Sequence, residues 1–216
     1  VLPLSEKTLL AYMFDVSGHG ISSALVTVAV YQSLSPHTSQ LIKSQIDQPP
    51  YYRINSPVDV LRALDKEYPF ERFDKFFTMT YMLLDRNSGR VCYANAGHPP
   101  PILIKNNGEI KRLESGGTLV GLGGLVPYEQ EDIELEAGDR VYLFSDGISE
   151  FEAPDGEMFG EERLIDYLLK RSGFPLKTTL DGFMPMLHDF GQGSAPKDDI
   201  SLLAIEYCGH PKQSEH

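Results

Sequence analysis

The sequence predicts an α+β fold in which helices cover stacked sheets. Helix-length segments gather towards the two ends of the chain, and two hairpin signals lie between them. That segregation of helices from antiparallel-type strand pairs separates α+β from the regular alternation of a parallel α/β sheet. The chain has 216 residues, 41% hydrophobic and 23% charged, enough for one large domain with a sizeable core.

Residues 8–14 are a short apolar run without Gly or Pro, as a buried strand requires. Asp15-Val16-Ser17-Gly18-His19-Gly20 follows, and residues 21–34, rich in Ala, Val and Leu, read as a helix. A strand that ends on a carboxylate and turns through two glycines into a helix presents that carboxylate at the strand mouth. The plainer alternative is a capped turn in which Asp15 bonds nearby amides. Residues 38–56 are polar, carry Pro49-Pro50 and Tyr51-Tyr52, and read as a connection with room for a short helix. Ser56 before Pro57 suits an N-cap and a first helical position, and Val58, Leu61, Leu64 and Tyr68 recur at helical spacing.

A run of strands comes next. Residues 77–85 and 90–95 flank the turn Asn87-Ser88-Gly89, and residues 101–105 and 109–113 flank Asn106-Asn107-Gly108. Residues 129–135 alternate acidic and apolar side chains, as a half-exposed strand does, and Ala137-Gly138-Asp139 turns the chain into an apolar strand over 140–144. The last third opens with a helix over 159–170. A weaker helix over 176–190 has Gly182 and Pro185 against it. Gly191-Gln192-Gly193-Ser194 loosens the chain, residues 200–207 close it as a strand, and the polar tail 209–216 is expected to fray.

Charge excludes some classes of partner. Nineteen Lys and Arg against 31 Asp and Glu leave a formal net charge of −12, which repels nucleic-acid backbones and anionic membranes. An anionic substrate then needs cations bound locally to reverse the sign. Cys92 and Cys208 lie far apart, outside any Cys-x-x-Cys pair and among strand-like residues, which predicts buried free thiols in a reducing compartment. Without a signal peptide or an apolar run of membrane-span length, a soluble, cytoplasmic protein is expected. The start at Val1-Leu2-Pro3-Leu4 suggests a cut from a longer polypeptide.

The chemistry gathers at acidic turns. Ser145-Asp146-Gly147 follows the strand ending at Phe144, and Asp198-Asp199 precedes the strand beginning at Ile200, so Asp15, Asp146 and Asp198/Asp199 all lie at strand ends. If the fold unites them, the donor set is all oxygen and suits Mg²⁺ or Mn²⁺. Two such ions about 3.5–4 Å apart activate a bridging water and neutralise a phosphoryl group. Strand-end aspartates are also common turn formers and caps, which is the competing explanation. A Ser17/His98/Asp146 triad fails because Ser17 lacks the Gly-x-Ser-x-Gly elbow. His98, before a proline run, reads as a packed turn residue. Gly116-Gly117, Gly121 and Gly123-Gly124 read as a surface loop near the substrate, not as a phosphate loop.

Four motifs in order carry a resemblance over nearly the whole chain: Asp15-Val16-Ser17-Gly18-His19-Gly20; Ala94-Asn95-Ala96-Gly97-His98-Pro99-Pro100-Pro101; Gly138-Asp139-Arg140 running into Ser145-Asp146-Gly147; and Asp198-Asp199-Ile200-Ser201-Leu202. Together they resemble the PPM family of metal-dependent serine/threonine protein phosphatases, in its bacterial SpoIIE/RsbU-like branch. The resemblance implies an αββα sandwich of two mainly antiparallel sheets flanked by helices, as one phosphatase domain over residues 1–208. It implies two Mn²⁺ or Mg²⁺ ions. Asp15 would bridge both, the Val16 backbone carbonyl would bind one, and Asp146 and Asp198 would be terminal ligands on the other. Asp199, where relatives often carry Asn, ranks below Asp198.

Two departures stand beside the match. The family's usual Gly-Gly-Asp strand before Leu4 is absent, so an edge strand and a carboxylate are expected to be missing. Ser17 also stands where the eukaryotic branch has a His, so no leaving-group acid is carried over to His19. The implied function is hydrolysis of phosphoserine or phosphothreonine on a regulatory protein, a STAS-type anti-sigma-factor antagonist, under an upstream sensor or receiver domain. The rivals are an inactive interaction module of the same fold and a phosphohydrolase of small molecules.

Overall fold

The computed structural model describes residues 1–36 and 39–209, which divide into two units. The first holds Val1–His98 and Glu114–Glu134, the second Pro99–Leu113 and Leu135–Gly209. In chain order the elements are β1 (Leu2–Pro3), β2 (Thr8–Val16), α1 (Ile21–Ser33), β3 (Lys43–Gln45), β4 (Tyr52–Ile54), α2 (Pro57–Glu67), α3 (Phe70–Phe73), β5 (Phe77–Asp85) and β6 (Arg90–Ala96). There follow β7 (Ile102–Ile104), β8 (Ile110–Arg112), β9 (Gly116–Gly117), β10 (Glu131–Glu134), β11 (Arg140–Phe144), α4 (Asp146–Ser149), α5 (Gly160–Lys170), α6 (Leu176–Asp181), α7 (Phe183–Phe190) and β12 (Leu202–Glu206).

The first unit is built on a six-stranded sheet ordered β1-β2-β5-β6-β10, with β9 added parallel to β6. The β2–β5 ladder runs antiparallel from Thr8 opposite Asp85 to Val16 opposite Phe77. Strand side chains alternate between faces, so Leu10, Val16, Phe77, Met79, Tyr81, Ala94 and Ala96 share one face. They pack with Val26 and Val30 of α1 and with Val58, Leu61 and Leu64 of α2. The start of α2 is the one the sequence predicts: Pro57 takes the first turn, and the Ser56 hydroxyl accepts the Asp59 amide at 3.2 Å. Helix α1 buries Val26 and Val30 but leaves Ile21, Leu25, Val28 and Tyr31 exposed, so it is apolar on both sides. Leu64→Ala removes a fully buried side chain and is expected to destabilise the protein by about 2–5 kcal/mol, read from urea unfolding.

The polar connection forms the β3–β4 hairpin where a short helix had room. Asn55 explains the difference: its amide donates to the Leu41 carbonyl at 2.9 Å and accepts the Ser44 hydroxyl at 2.6 Å, tying the hairpin to its own entrance.

The second unit is a four-stranded sheet ordered β12-β11-β7-β8 with antiparallel neighbours throughout. Every residue of β11 is buried. On one face Ile102, Ile104, Tyr142 and Phe144 pack against Leu164 and Leu168 of α5 and Phe183 and Leu187 of α7. The weak helix expected over 176–190 is two helices broken at Gly182. Pro185 is the third residue of α7, where its missing N–H is one the helix leaves unpaired in any case. The Gly138-Asp139-Arg140 motif has structural work here. The buried Asp139 carboxylate accepts the Asn106 and Glu136 amides at 2.8 and 2.9 Å. Arg140 pairs with Glu206 at 2.8 Å and donates to the Phe174 carbonyl at 2.7 Å.

Two mainly antiparallel sheets, each covered by helices, make the fold α+β, as the sequence predicts. The tail expected to fray lies, from residue 210 on, outside the described residues, as does Thr38 of the connection. Among the described residues no helix is long and apolar enough to cross a membrane. Both cysteines are free, but the expectation that both are buried is corrected: Cys92 is half-buried and Cys208 exposed, because β12 stops at Glu206. Burial, with Asp132 nearby, pushes the Cys92 thiol up to about 11. At pH 8 only about a thousandth of it is then thiolate. Iodoacetamide is expected to label Cys208 first, as peptide mapping over time would show.

Candidate metal centre

In the first unit Asp15 is the exposed penultimate residue of β2, directly opposite Thr78 on β5. The turn after it is pinned from three directions. The Ser17 amide donates to the Phe76 carbonyl at 2.9 Å, the Ser17 hydroxyl accepts the Phe76 amide at 3.2 Å, and the Ser23 hydroxyl donates to the Ser17 carbonyl at 3.1 Å. Gly18 and Gly20 have φ of 75° and 90°, a left-handed backbone that glycine adopts without strain. Val16 anchors the strand end by burying its side chain in the core.

His98 is buried, as expected of a packed turn residue. Its amide donates to the Asn95 side-chain oxygen at 2.8 Å, and the Asn95 amide returns a bond to its carbonyl at 2.8 Å. Its Nδ1 lies 2.8 Å from the Thr78 hydroxyl. Thr78, the residue facing Asp15, is therefore tied to the second motif, a role that sequence reading missed and that the strand register exposes. The glycine stretch is not simply a surface loop. Gly116–Gly117 is strand β9, where a Cβ on Gly116 would collide with the Asn95 backbone. The Asp65 carboxylate holds the following turn through the Gly121 amide at 2.7 Å.

In the second unit a serine joins two of the acidic motifs. The Ser145 amide donates to the Ser201 carbonyl at 3.0 Å. The Ser145 hydroxyl donates to the Asp199 carbonyl at 2.7 Å and accepts the Ser201 amide at 2.9 Å. Asp146, half-buried, opens the one-turn helix α4 beyond this clasp. A Cβ on Gly147 would fall inside contact distance of the Asp199 carbonyl oxygen and 3.1 Å from its carbon. The absence of a side chain there lets the Asp146 turn and the Asp198–Asp199 segment lie against each other. Asp198 and Asp199 are exposed, and one Asp198 carboxylate oxygen accepts the Asp199 amide at 2.7 Å.

The structure thus brings the Asp146 turn to Asp198 and Asp199 in the second unit, while Asp15 and Val16 belong to the first. The donors are all oxygens, the set hard divalent cations take, and the glycine cradle at Gly147 fits a site that draws two segments together. Among the described residues no three His, Cys, Asp or Glu side chains converge closely enough to hold a metal ion.

Comparison with known proteins decides the family. Residues 5–207 match the family described as Stage II sporulation protein E (SpoIIE). The chain belongs to the SpoIIE family. Its relatives include the phosphoserine phosphatase RsbP of Bacillus subtilis, 30% identical over 90% of this chain and 44% of that protein. The phosphoserine phosphatase RsbU of the same organism is 31% identical over 88% of this chain and 53% of that protein. The chain thus spans about half the length of these relatives. Among solved structures, the PP2C domain of SiaA from Pseudomonas aeruginosa superposes with a TM-score of 0.71 at 19% identity, over 93% of this chain and 80% of that one. The SpoIIE-family chain therefore has the sandwich fold of the PP2C-type phosphatases, as the four motifs implied.

Proposed function

We propose that the protein is a Mn²⁺- or Mg²⁺-dependent phosphatase of phosphoserine or phosphothreonine, acting on a phosphorylated regulatory protein of the STAS anti-sigma-factor-antagonist type. Residues 1–208 form one domain in this reading, which the family match across both units supports. The observation that carries it is the Ser145 clasp with the Gly147 cradle, which lays the Asp146 turn on Asp198 and Asp199. In this reading Asp15, the Val16 carbonyl, Asp146 and Asp198 would hold the ions, with Asp199 as a lesser contributor. Bound ions supply an activated water and offset the phosphoryl charge. The side chains do the positioning: Ser145 fixes the Asp198–Asp199 backbone, and Thr78 with His98 fixes the strand facing Asp15.

A net charge of −12 makes local cations the natural means of receiving an anionic substrate. The names of RsbP and RsbU support phosphoserine as the substrate group. Their greater length leaves room for a further domain, which we propose to be an upstream sensor or receiver acting in the cytoplasm. A binding module without turnover is the competing reading, favoured by the missing three-donor cluster among the described residues. Phosphate release from a phosphorylated STAS protein separates the two. Release that needs Mn²⁺ and stops with EDTA supports the phosphatase. Binding without release, with Mn²⁺ present, supports the module.

A further inference from the structure

The second unit contains a cavity of about 320 Å³ beside Asp198 and Gly147. We propose that it is a subsite for a basic side chain of the substrate, arginine above lysine, near the phosphorylated residue; this deepens the phosphatase reading and rests on it. Phe151, Ala153 and Met158 form the apolar side of the cavity, and Glu150, Glu152 and Asp198 bring carboxylates to it. The volume lies at the low end for ligand pockets, about 300–1,000 Å³. That is room for one long side chain rather than a cofactor.

The wall is built to hold its shape. Residues 151–159 double back on themselves: Phe159 donates its amide to the Phe151 carbonyl at 2.8 Å, and Ala153 its own to Glu157 at 2.9 Å. Arg163 braces the turn from behind through the Met158 and Phe159 carbonyls at 3.0 and 2.9 Å, and pairs with Glu157. Met158 is nevertheless 54% exposed, so a rigid backbone offers an adaptable apolar side chain. An apolar wall under carboxylates matches a side chain with an aliphatic stem and a cationic head.

Charge points the same way. The three carboxylates face a single ammonium, Lys197, which pairs with Glu152. With Asp198 committed to a metal, two carboxylates still face that one cation. The Lys197–Glu152 pair is exposed, 74% on the lysine side chain, and such pairs contribute little. An incoming guanidinium can displace Lys197 at small cost and meet a carboxylate with two parallel hydrogen bonds.

The test measures binding and turnover separately. Fluorescence anisotropy of the native chain with Mn²⁺ would use labelled peptides bearing a non-hydrolysable phosphonate analogue of phosphoserine, with Arg, Ala or Glu scanned through the three positions on either side. At one position or more, Arg is expected to bind about tenfold tighter than Ala, and Glu more weakly. In Glu150→Gln/Glu152→Gln the Arg preference is expected to fall below about twofold, with the melting curve checked for folding. Equal binding of Arg and Ala peptides at every position overturns the proposal, as does a preference that survives in the variant. Mn²⁺-dependent hydrolysis of p-nitrophenyl phosphate, run alongside, reports on the phosphatase reading alone. Its absence with an intact arginine preference sinks the phosphatase reading and leaves a basic-side-chain site on a module that binds without turnover.

Discussion

Asp146→Asn is expected to lower Mn²⁺-dependent phosphate release by about a hundredfold or more, the scale set by losses of 10–100-fold when groups merely supporting a ligand are removed. The substitution keeps size and shape and removes only the charge. What holds the α4 turn in place is backbone: the Asp146 carbonyl accepts the Ser149 hydroxyl at 3.0 Å and the Glu150 amide at 2.8 Å. Asparagine leaves both bonds available, so the melting temperature is expected to stay close to that of the native chain. Asp199→Asn is expected to cost much less, since the resemblance ranks Asp199 below Asp198 as a ligand. Measuring both variants over a Mn²⁺ titration tests the ligand ranking directly. Near-native release in Asp146→Asn would falsify the assignment of Asp146 as a metal ligand.

Much of the fold was legible because local rules and tertiary packing agree. Ser56 and Pro57 announce α2, the turn residues announce the β5–β6 and β7–β8 hairpins, and the apolar run before Asp15 announces β2. What stayed hidden depends on partners remote in sequence. Gly116–Gly117 has no strand propensity and becomes β9 only because Asn95 and Ala96 offer a free edge at close approach. The β3–β4 hairpin closes through its own backbone ladder, and the Asn55 side chain ties it to residues 41 and 44 at its entrance. Cys208 has strand-like neighbours, yet the strand ends two residues earlier.

The candidate site divides in the same way. Residue type and strand-end placement drew attention to Asp15, Asp146 and Asp198, a placement that turn-forming aspartates share, and the proposed ligand roles came from the resemblance. The groups that position them were invisible. Ser145 is one serine among many until its hydroxyl is seen between Asp199 and Ser201. Thr78 acquires meaning only from its register opposite Asp15.

Gly147→Ala tests whether that positioning matters, with the proposed ligands left in place. Gly147 does not require a left-handed backbone, so the constraint is steric. The added methyl would press on the Asp199 carbonyl, which is backbone and is already fixed by the Ser145 hydroxyl at 2.7 Å. Such overpacking costs about 1–3 kcal/mol, and the segment carrying Asp198 must move to relieve it. The expected signature is an apparent Mn²⁺ affinity reduced about 10–100-fold, with part of the lost activity recovered at high Mn²⁺. Asp146→Asn lacks a ligand and should recover far less. Gly173→Ala serves as the control, because its methyl would meet nothing within 4 Å, and its stability should stay within about 0.5 kcal/mol of native. If Gly147→Ala loses stability while keeping its Mn²⁺ dependence, the clasp only holds the fold together. If metal affinity falls with activity, the contact between the Asp146 turn and Asp198–Asp199 is what shapes the metal site.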